Sequence, residues 1–243
     1  ICLFAPAMYI CGRFYFLEVI ECMKNEKLKK MIVLSMLAAI SYLTVFLIRI
    51  PFIPSVEFLK YEAKDVIIAI SGFLYGPLSA SLVSVVVSLI EMFTISSTGP
   101  YGLIMNIFST LSFVLPAAII YKRKKSINSA VIGLCAGVVV MTIAMLMWNY
   151  FITPLYLKVP TEVVVGLMLP GFLPFNLIKA LINAVITFIL YKPLVKILRK
   201  AKLMPKQEET ENSEKKSALL FNIIALLILV LLVGIIIVIK FLK

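Results

Sequence analysis

Asn176, Lys179, Asn183 and Thr187 are spaced by three, four and four residues in an apolar run that opens at Pro170 and continues to about Leu190. On an α-helix those intervals place all four side chains on one face. The other faces carry Leu, Ile, Val and Phe. Amides donate and accept hydrogen bonds, whereas an ammonium only donates. Such a seam suits recognition of a ligand rich in hydroxyls or carbonyls rather than covalent chemistry. A cation deep in a bilayer costs about 2.5–3.5 kcal/mol even on the lenient insertion scale. Two readings account for it: Lys179 faces a polar ligand, or it snorkels to the membrane interface from about two turns inside the helix.

Composition defines the elements that must position this seam. The chain is 62% hydrophobic and 15% charged, against about 25% charged residues in soluble domains. Several runs approach the ~20 apolar residues that cross a bilayer. The fold class is therefore all-α, a polytopic membrane protein. The net charge of +12 gathers at the ends of apolar runs, as topology requires, and does not indicate a nucleic-acid partner. Histidine is absent, which excludes imidazole acid–base chemistry and His metal ligands. Cys2, Cys11, Cys22 and Cys135 show no CxxC spacing, so neither a zinc site nor a redox motif is expected. No GxxxxGK[ST] occurs, so the chain has no Walker A ATPase site of its own. No metal and no cofactor is expected.

Residues 1–28 read as an N-terminal extension and a basic cytoplasmic lead. Met23 is the expected start, with the preceding residues foreign to the native chain; alternatively they form a short amphipathic interfacial segment. Lys24, Lys27, Lys29 and Lys30 set this end inside the cell. A first span follows at about Met31–Ile50, where Ser35 and Ala39 make a small-xxx-small pair. Such a pair admits close approach of another helix, either from this chain or from a partner. Arg49 to Asp65 is an outer loop in which Phe58, Leu59 and Tyr61 alternate with charges. It either covers a site or lies on the outer interface.

Val66–Phe93, interrupted by Gly76-Pro77, is one kinked span or two shorter ones. Two spans return the basic run Lys122–Lys125 to the cytoplasm, so charge decides for two. The first, Lys64–Tyr75, is then roughly 18 Å long and must be shielded by neighbours. Ser96 to Pro100 is turn chemistry. Further spans are expected at Tyr101–Tyr121, carrying Asn106, and at Ala130–Tyr150, ending on Trp148, Asn149 and Tyr150. An outer loop from Ile152 to Gly171 leads to the sixth span, Leu173–Leu190, and to a large basic cluster. Residues 29–200 thus form a six-helix membrane domain, 201–217 a charged cytoplasmic linker, and 218–243 an appended transmembrane helix.

This topology gathers Glu62, Asp65, Asn106, Asn149, Asn176 and Lys179 at one depth near the outer face, with Phe58, Leu59 and Tyr61 as flat apolar cover. A mostly apolar pocket with a few convergent polar groups is the common form of a small-molecule site. The combination suits an uncharged or weakly charged ligand with several hydroxyls and a planar ring. An ion pathway would need a ring or repeat of like groups, and none is visible. Glu91 is the only carboxylate near the middle of a long apolar run, and the sequence offers it no evident partner.

At these residues the chain resembles the substrate-binding S-component of energy-coupling-factor (ECF) vitamin transporters, most closely their riboflavin-specific group. The resemblance covers about residues 29–200. It is carried by Phe58-Leu59-Lys60-Tyr61-Glu62-Ala63-Lys64-Asp65, by Gly72 through Leu78, and by Ser96 through Gly102. Trp148-Asn149-Tyr150, Pro154-Leu155-Tyr156 and Pro174-Phe175-Asn176-Leu177-Ile178-Lys179-Ala180 complete it. It implies a six-helix bundle that binds riboflavin near the extracellular side under the first outer loop. Asn149, Asn176 and Lys179 would bond the ribityl hydroxyls or ring oxygens, and Phe58 to Asp65 would line the isoalloxazine. The family's AxxxA docking patch appears here as Ser35-xxx-Ala39, with Ser in place of the first Ala. The implied partners are a transmembrane coupling subunit and two ABC-type ATPases within the lipid bilayer. The S-component would topple in the membrane to carry its ligand across.

Rival readings are an S-component for another vitamin or for FMN, an intramembrane enzyme, and a purely structural membrane subunit. The enzyme reading needs paired carboxylates, a nucleophile–base pair or a metal motif within the spans.

Overall fold

The computed structural model describes residues 26–96 and 98–200. The N-terminal extension, the charged linker expected at 201–217 and the appended helix lie outside the described residues. The elements are α1 (Glu26–Leu47), a 3-10 turn (Pro54–Val56), α2 (Lys64–Tyr75), α3 (Pro77–Thr94), α4 (Gly99–Lys124), α5 (Ile127–Leu157), α6 (Thr161–Leu167), a π-helical turn (Met168–Phe172) and α7 (Leu173–Lys200). Glu26–Leu47, Pro77–Thr94, Gly99–Lys124, Ile127–Leu157 and the composite Thr161–Val195 are long and apolar enough to cross a membrane.

Each long helix presents a narrow stripe inward and leaves apolar side chains outside, as expected where lipid is the solvent. In α1 the buried residues are Val33, Leu37, Ser41 and Val45, four apart. Met36, Ile40, Leu43 and Phe46 on its other faces are exposed. The twelve-residue α2 differs: Lys64, Asp65, Val66 and every residue from Ile68 to Phe73 are buried. This meets the expectation that so short a helix is sheathed by its neighbours.

The break between α2 and α3 falls at Gly76-Pro77. Gly76 adopts φ 90 and ψ 173, a conformation open to glycine because it lacks a Cβ. Pro77 then starts α3, where its missing N–H is one of the unpaired helix-start groups anyway. At the far end of α4, Lys125 turns left-handed with φ 47. Ser126 and Ser129 form a reciprocal capping box that opens α5.

The expected loop from Ile152 to Gly171 is largely helical instead. α5 continues to Leu157, and α6 with the π-turn occupies Thr161–Phe172. Pro154 lies in the last turns of α5, where the ring is accommodated without ending the helix. The wider π-turn contains Pro170, whose missing N–H leaves the ladder one donor short, and the Leu173 N–H closes the turn on the Met168 carbonyl.

Among the described residues three apolar clusters hold the bundle, the smallest around Val33 and Leu37 of α1. The main core joins Ile68, Phe73, Val87, Phe113, Leu134 and Met141 from α2 to α5, with Ala180 of α7. A second cluster unites Phe52, Ile53, Val56, Leu59 and Tyr61 with Val164, Phe172, Phe175, Ile178 and Ile182. Through it the 48–63 segment lies across α6, the π-turn and α7. Its two ends are joined by backbone bonds between Ile50 and Tyr61 of 2.9 and 3.2 Å. Phe52 stacks on Phe175 with centroids 4.9 Å apart.

Candidate functional site

The α7 seam turns inward along its whole length: Asn176, Lys179, Asn183 and Thr187 are all buried. Lys179 does not snorkel. Its Nζ lies 3.5 Å from Asp65 Oδ2, so α2 supplies the compensating charge that the sequence left open. Asp65 also accepts from Thr110 Oγ1 at 2.6 Å and from Asn183 Nδ2 at 3.2 Å. Tyr61 donates its phenol to Asn183 Oδ1 at 3.0 Å. Burial pushes the Tyr61 phenol above its ordinary range, and nearby Asp65 adds to that.

Beside this network stands a second one. Arg49 donates to Glu62 Oε1 from Nε at 2.9 Å and from a terminal nitrogen at 2.7 Å. It also reaches Glu91 Oε1 at 2.9 Å and the Ile95 carbonyl at 2.9 Å. Lys64 bonds Glu62 Oε2 at 2.9 Å and pairs with Glu91 Oε2. Asn106 Nδ2 donates to Glu91 Oε1 at 2.9 Å. Glu91 therefore has two cationic partners and an amide, which corrects the reading that it stands alone. Two cations face two carboxylates, so the charges neutralise locally, as buried charge requires. Burial works to raise the Glu62 carboxyl, but Lys64, Lys179 and Arg49 hold it down at about 2.

The two networks border a cavity of about 60 Å³ roofed by the 48–63 segment. Of the residues singled out from sequence, Phe58, Leu59, Glu62, Asn106, Asn176 and Lys179 line it. Tyr61 and Asp65 are not among its lining residues. They stand behind the wall and hold Asn183 and Lys179 in place. Asn149 also lies off the wall, one turn beyond the lining residue Met145. Its Nδ2 donates to the Met145 carbonyl at 2.7 Å, and its Oδ1 accepts from Thr153 at 2.9 Å. Asn176 keeps one amide N–H on the Phe172 carbonyl at 2.8 Å, which leaves its carbonyl and second N–H for the cavity.

The wall also contains Arg49, Lys60, Glu91, Thr98, Met105, Ser109, Met145 and Phe175, none of which was chosen from sequence. Arg49 and Glu91 carried a signal, since charges bordering apolar runs in a membrane protein need partners. Met105 and Ser109 flank Asn106 at one and three residues on α4, and only the packing shows that they share its face. A smaller chamber of about 30 Å³ adjoins the first, lined by Tyr101, Gly102, Trp148, Ile152, Thr153 and Tyr156. The two share Phe58, Thr98 and Met105. The polar chamber and the aromatic chamber thus share part of their wall. Both volumes are well below the roughly 300–1,000 Å³ of drug-sized ligand pockets, so the vitamin-sized hollow that the resemblance implies is not open in this conformation.

Ser35 and Ala39 are both exposed on α1 among the described residues. Among the described residues no group of three or more His, Cys, Asp or Glu is placed to hold a metal ion.

Membrane-length helices around a roofed polar cavity define a multi-pass membrane protein built to bind a ligand. Residues 29–191 match the model of the family described as ECF transporter, substrate-specific component, and the chain belongs to that family. It is 32% identical over 179 residues to the riboflavin transporter RibU of Staphylococcus aureus (strain TCH60), covering 71% of this chain and 93% of that protein. It is 31% identical over 187 residues to the riboflavin transporter FmnP of Bacillus subtilis (strain 168), covering 72% and 98%. A solved structure described as the S component of a bacterial ECF transporter superposes with a TM-score of 0.60 at 33% identity, covering 71% of this chain and 99% of that one.

Proposed function

We propose that this chain captures riboflavin on the outer side of the cell membrane and delivers it inward as the binding subunit of an ECF transporter. The observation that carries this reading is the convergence of Asn106, Asn176 and Lys179 with Phe58 and Met105 on one cavity beneath a single loop. Amides and an ammonium suit the hydroxyls of a ribityl tail. The adjoining chamber, with Tyr101, Trp148 and Tyr156, suits a planar ring. The names of the two relatives support the same ligand. Because the cavity holds only about 60 Å³, binding requires the 48–63 segment or the helices beneath it to move outward.

Charge favours the vitamin over its phosphate ester. Glu62 and Glu91 both stand in the wall, and Arg49, Lys64 and Lys179 are each already paired with a carboxylate. A phosphate would meet those carboxylates, and among the described wall residues the cation left to receive it is Lys60, which is exposed.

The chain would lie with its N-terminus in the cytoplasm, as the Lys-rich lead and the Lys122–Lys125 run favour. It would perform no chemistry on its ligand. With no Walker A motif in the sequence, ATP hydrolysis falls to two ABC-type ATPase subunits, joined through a coupling subunit that docks on Ser35 and Ala39. The test is an absorbance scan of the detergent-purified full chain, followed by competition among riboflavin, FMN and thiamin. Copurified flavin with riboflavin as the preferred competitor is expected. A colourless protein that takes up none of the three would overturn the reading.

A further inference from the structure

Ser109 stands apart from the other polar groups of the wall. It lies on α4, 3% exposed, and its Oγ has no hydrogen-bond partner although it is buried. Serine within a helix commonly returns its hydroxyl to the carbonyl four residues back, and Ser79, Ser81 and Thr142 of this chain do so. Ser109 does not, and it lines the same cavity as Asn106, Asn176 and Lys179. A buried hydroxyl without a partner keeps an uncompensated desolvation cost, and a ligand that supplies a partner removes it. The neighbouring charges are satisfied: Glu91 accepts from Arg49 and Asn106 and Lys179 faces Asp65. The complementary group is therefore uncharged.

Resting on the riboflavin reading above, we infer that Ser109 is a ligand-contacting residue whose hydroxyl exchanges a hydrogen bond with a hydroxyl of the ribityl tail. It lines the polar chamber and not the one formed by Tyr101, Trp148 and Tyr156, which assigns it to the tail rather than the ring. As both donor and acceptor, a serine hydroxyl matches a ligand hydroxyl in either sense.

The test compares Ser109→Ala with Ser88→Ala in the detergent-purified full chain. Ser88 is equally buried and equally without a partner, but it is not a lining residue. Riboflavin and lumiflavin, which keeps the ring and lacks the ribityl tail, are titrated by flavin fluorescence. Ser109→Ala should raise the Kd for riboflavin about 5- to 30-fold, leave lumiflavin binding unchanged and not lower the thermal midpoint of the ligand-free protein. Ser88→Ala should leave both ligands unchanged. An unaltered riboflavin Kd in Ser109→Ala, or an equal loss for both ligands, overturns the assignment. Failure of the unmodified chain to bind riboflavin overturns the underlying reading instead.

Discussion

Lys179 of α7 and Asp65 of α2 meet across the bundle, Nζ to Oδ2, at 3.5 Å. The contact turns the polar face of α7 toward the cavity and away from lipid. Lys179→Ala should weaken riboflavin binding by about 1–3 kcal/mol, the usual cost of a lost buried hydrogen bond. It should also lower the thermal midpoint, because Asp65 then keeps only the neutral donors Thr110 and Asn183. Adding Asp65→Asn should recover the midpoint without recovering the affinity. Recovery of both would mean that Lys179 serves the fold alone. Asn176→Ala, which removes a lining amide, should cost a similar amount of affinity, read by the same titration.

Glu62 ties acid stability to the roof of the site. Its carboxyl sits at about 2 against an ordinary 4.5. A depressed carboxylate contributes stability above its unfolded value and loses it as pH falls toward its folded value. The thermal midpoint should therefore decline between about pH 4.5 and 2, and Glu62→Gln should flatten that decline while lowering the midpoint near neutrality. A variant that keeps the original slope would show that other groups control the acid response.

The α1 surface separates binding from transport. Ser35 and Ala39 are exposed and small, so Ala39→Trp should leave riboflavin affinity in the isolated chain unchanged. In cells that also supply the coupling and ATPase subunits, uptake should stop. If the isolated variant loses affinity, this face packs within the chain and not against a partner.

Gly137 sets the spacing of α4 and α5. A Cβ built there would lie 2.4 Å from the Phe113 carbonyl oxygen, and one on Gly133 would lie 2.8 Å from that of Ala117. The two glycines, four apart, let the backbones touch in the manner of small-residue membrane interfaces. Gly137→Ala should destabilise by roughly 1–3 kcal/mol or more, as overpacking does. Cys135→Ala, on the exposed face of the same turn, should be neutral in the same thermal assay.

Much of this molecule was written in one dimension. Apolar runs and flanking lysines determined the membrane class, Gly76-Pro77 placed the break between α2 and α3, and a spacing of three and four put Asn176, Lys179, Asn183 and Thr187 on one buried face. Such features are local, and helical periodicity reports them directly. Tertiary structure decided what those faces meet. It joined Glu91 to Arg49 and Lys64, drawn from segments 42 and 27 residues away, and it brought the unpartnered Ser109 hydroxyl to the wall. It set Tyr61, Asp65 and Asn149 off that wall, and it closed the cavity to about 60 Å³. A repeat along the chain states which side of a helix is polar; only the packing of several helices states how far that side stands from its neighbours, and so how much room a ligand finds.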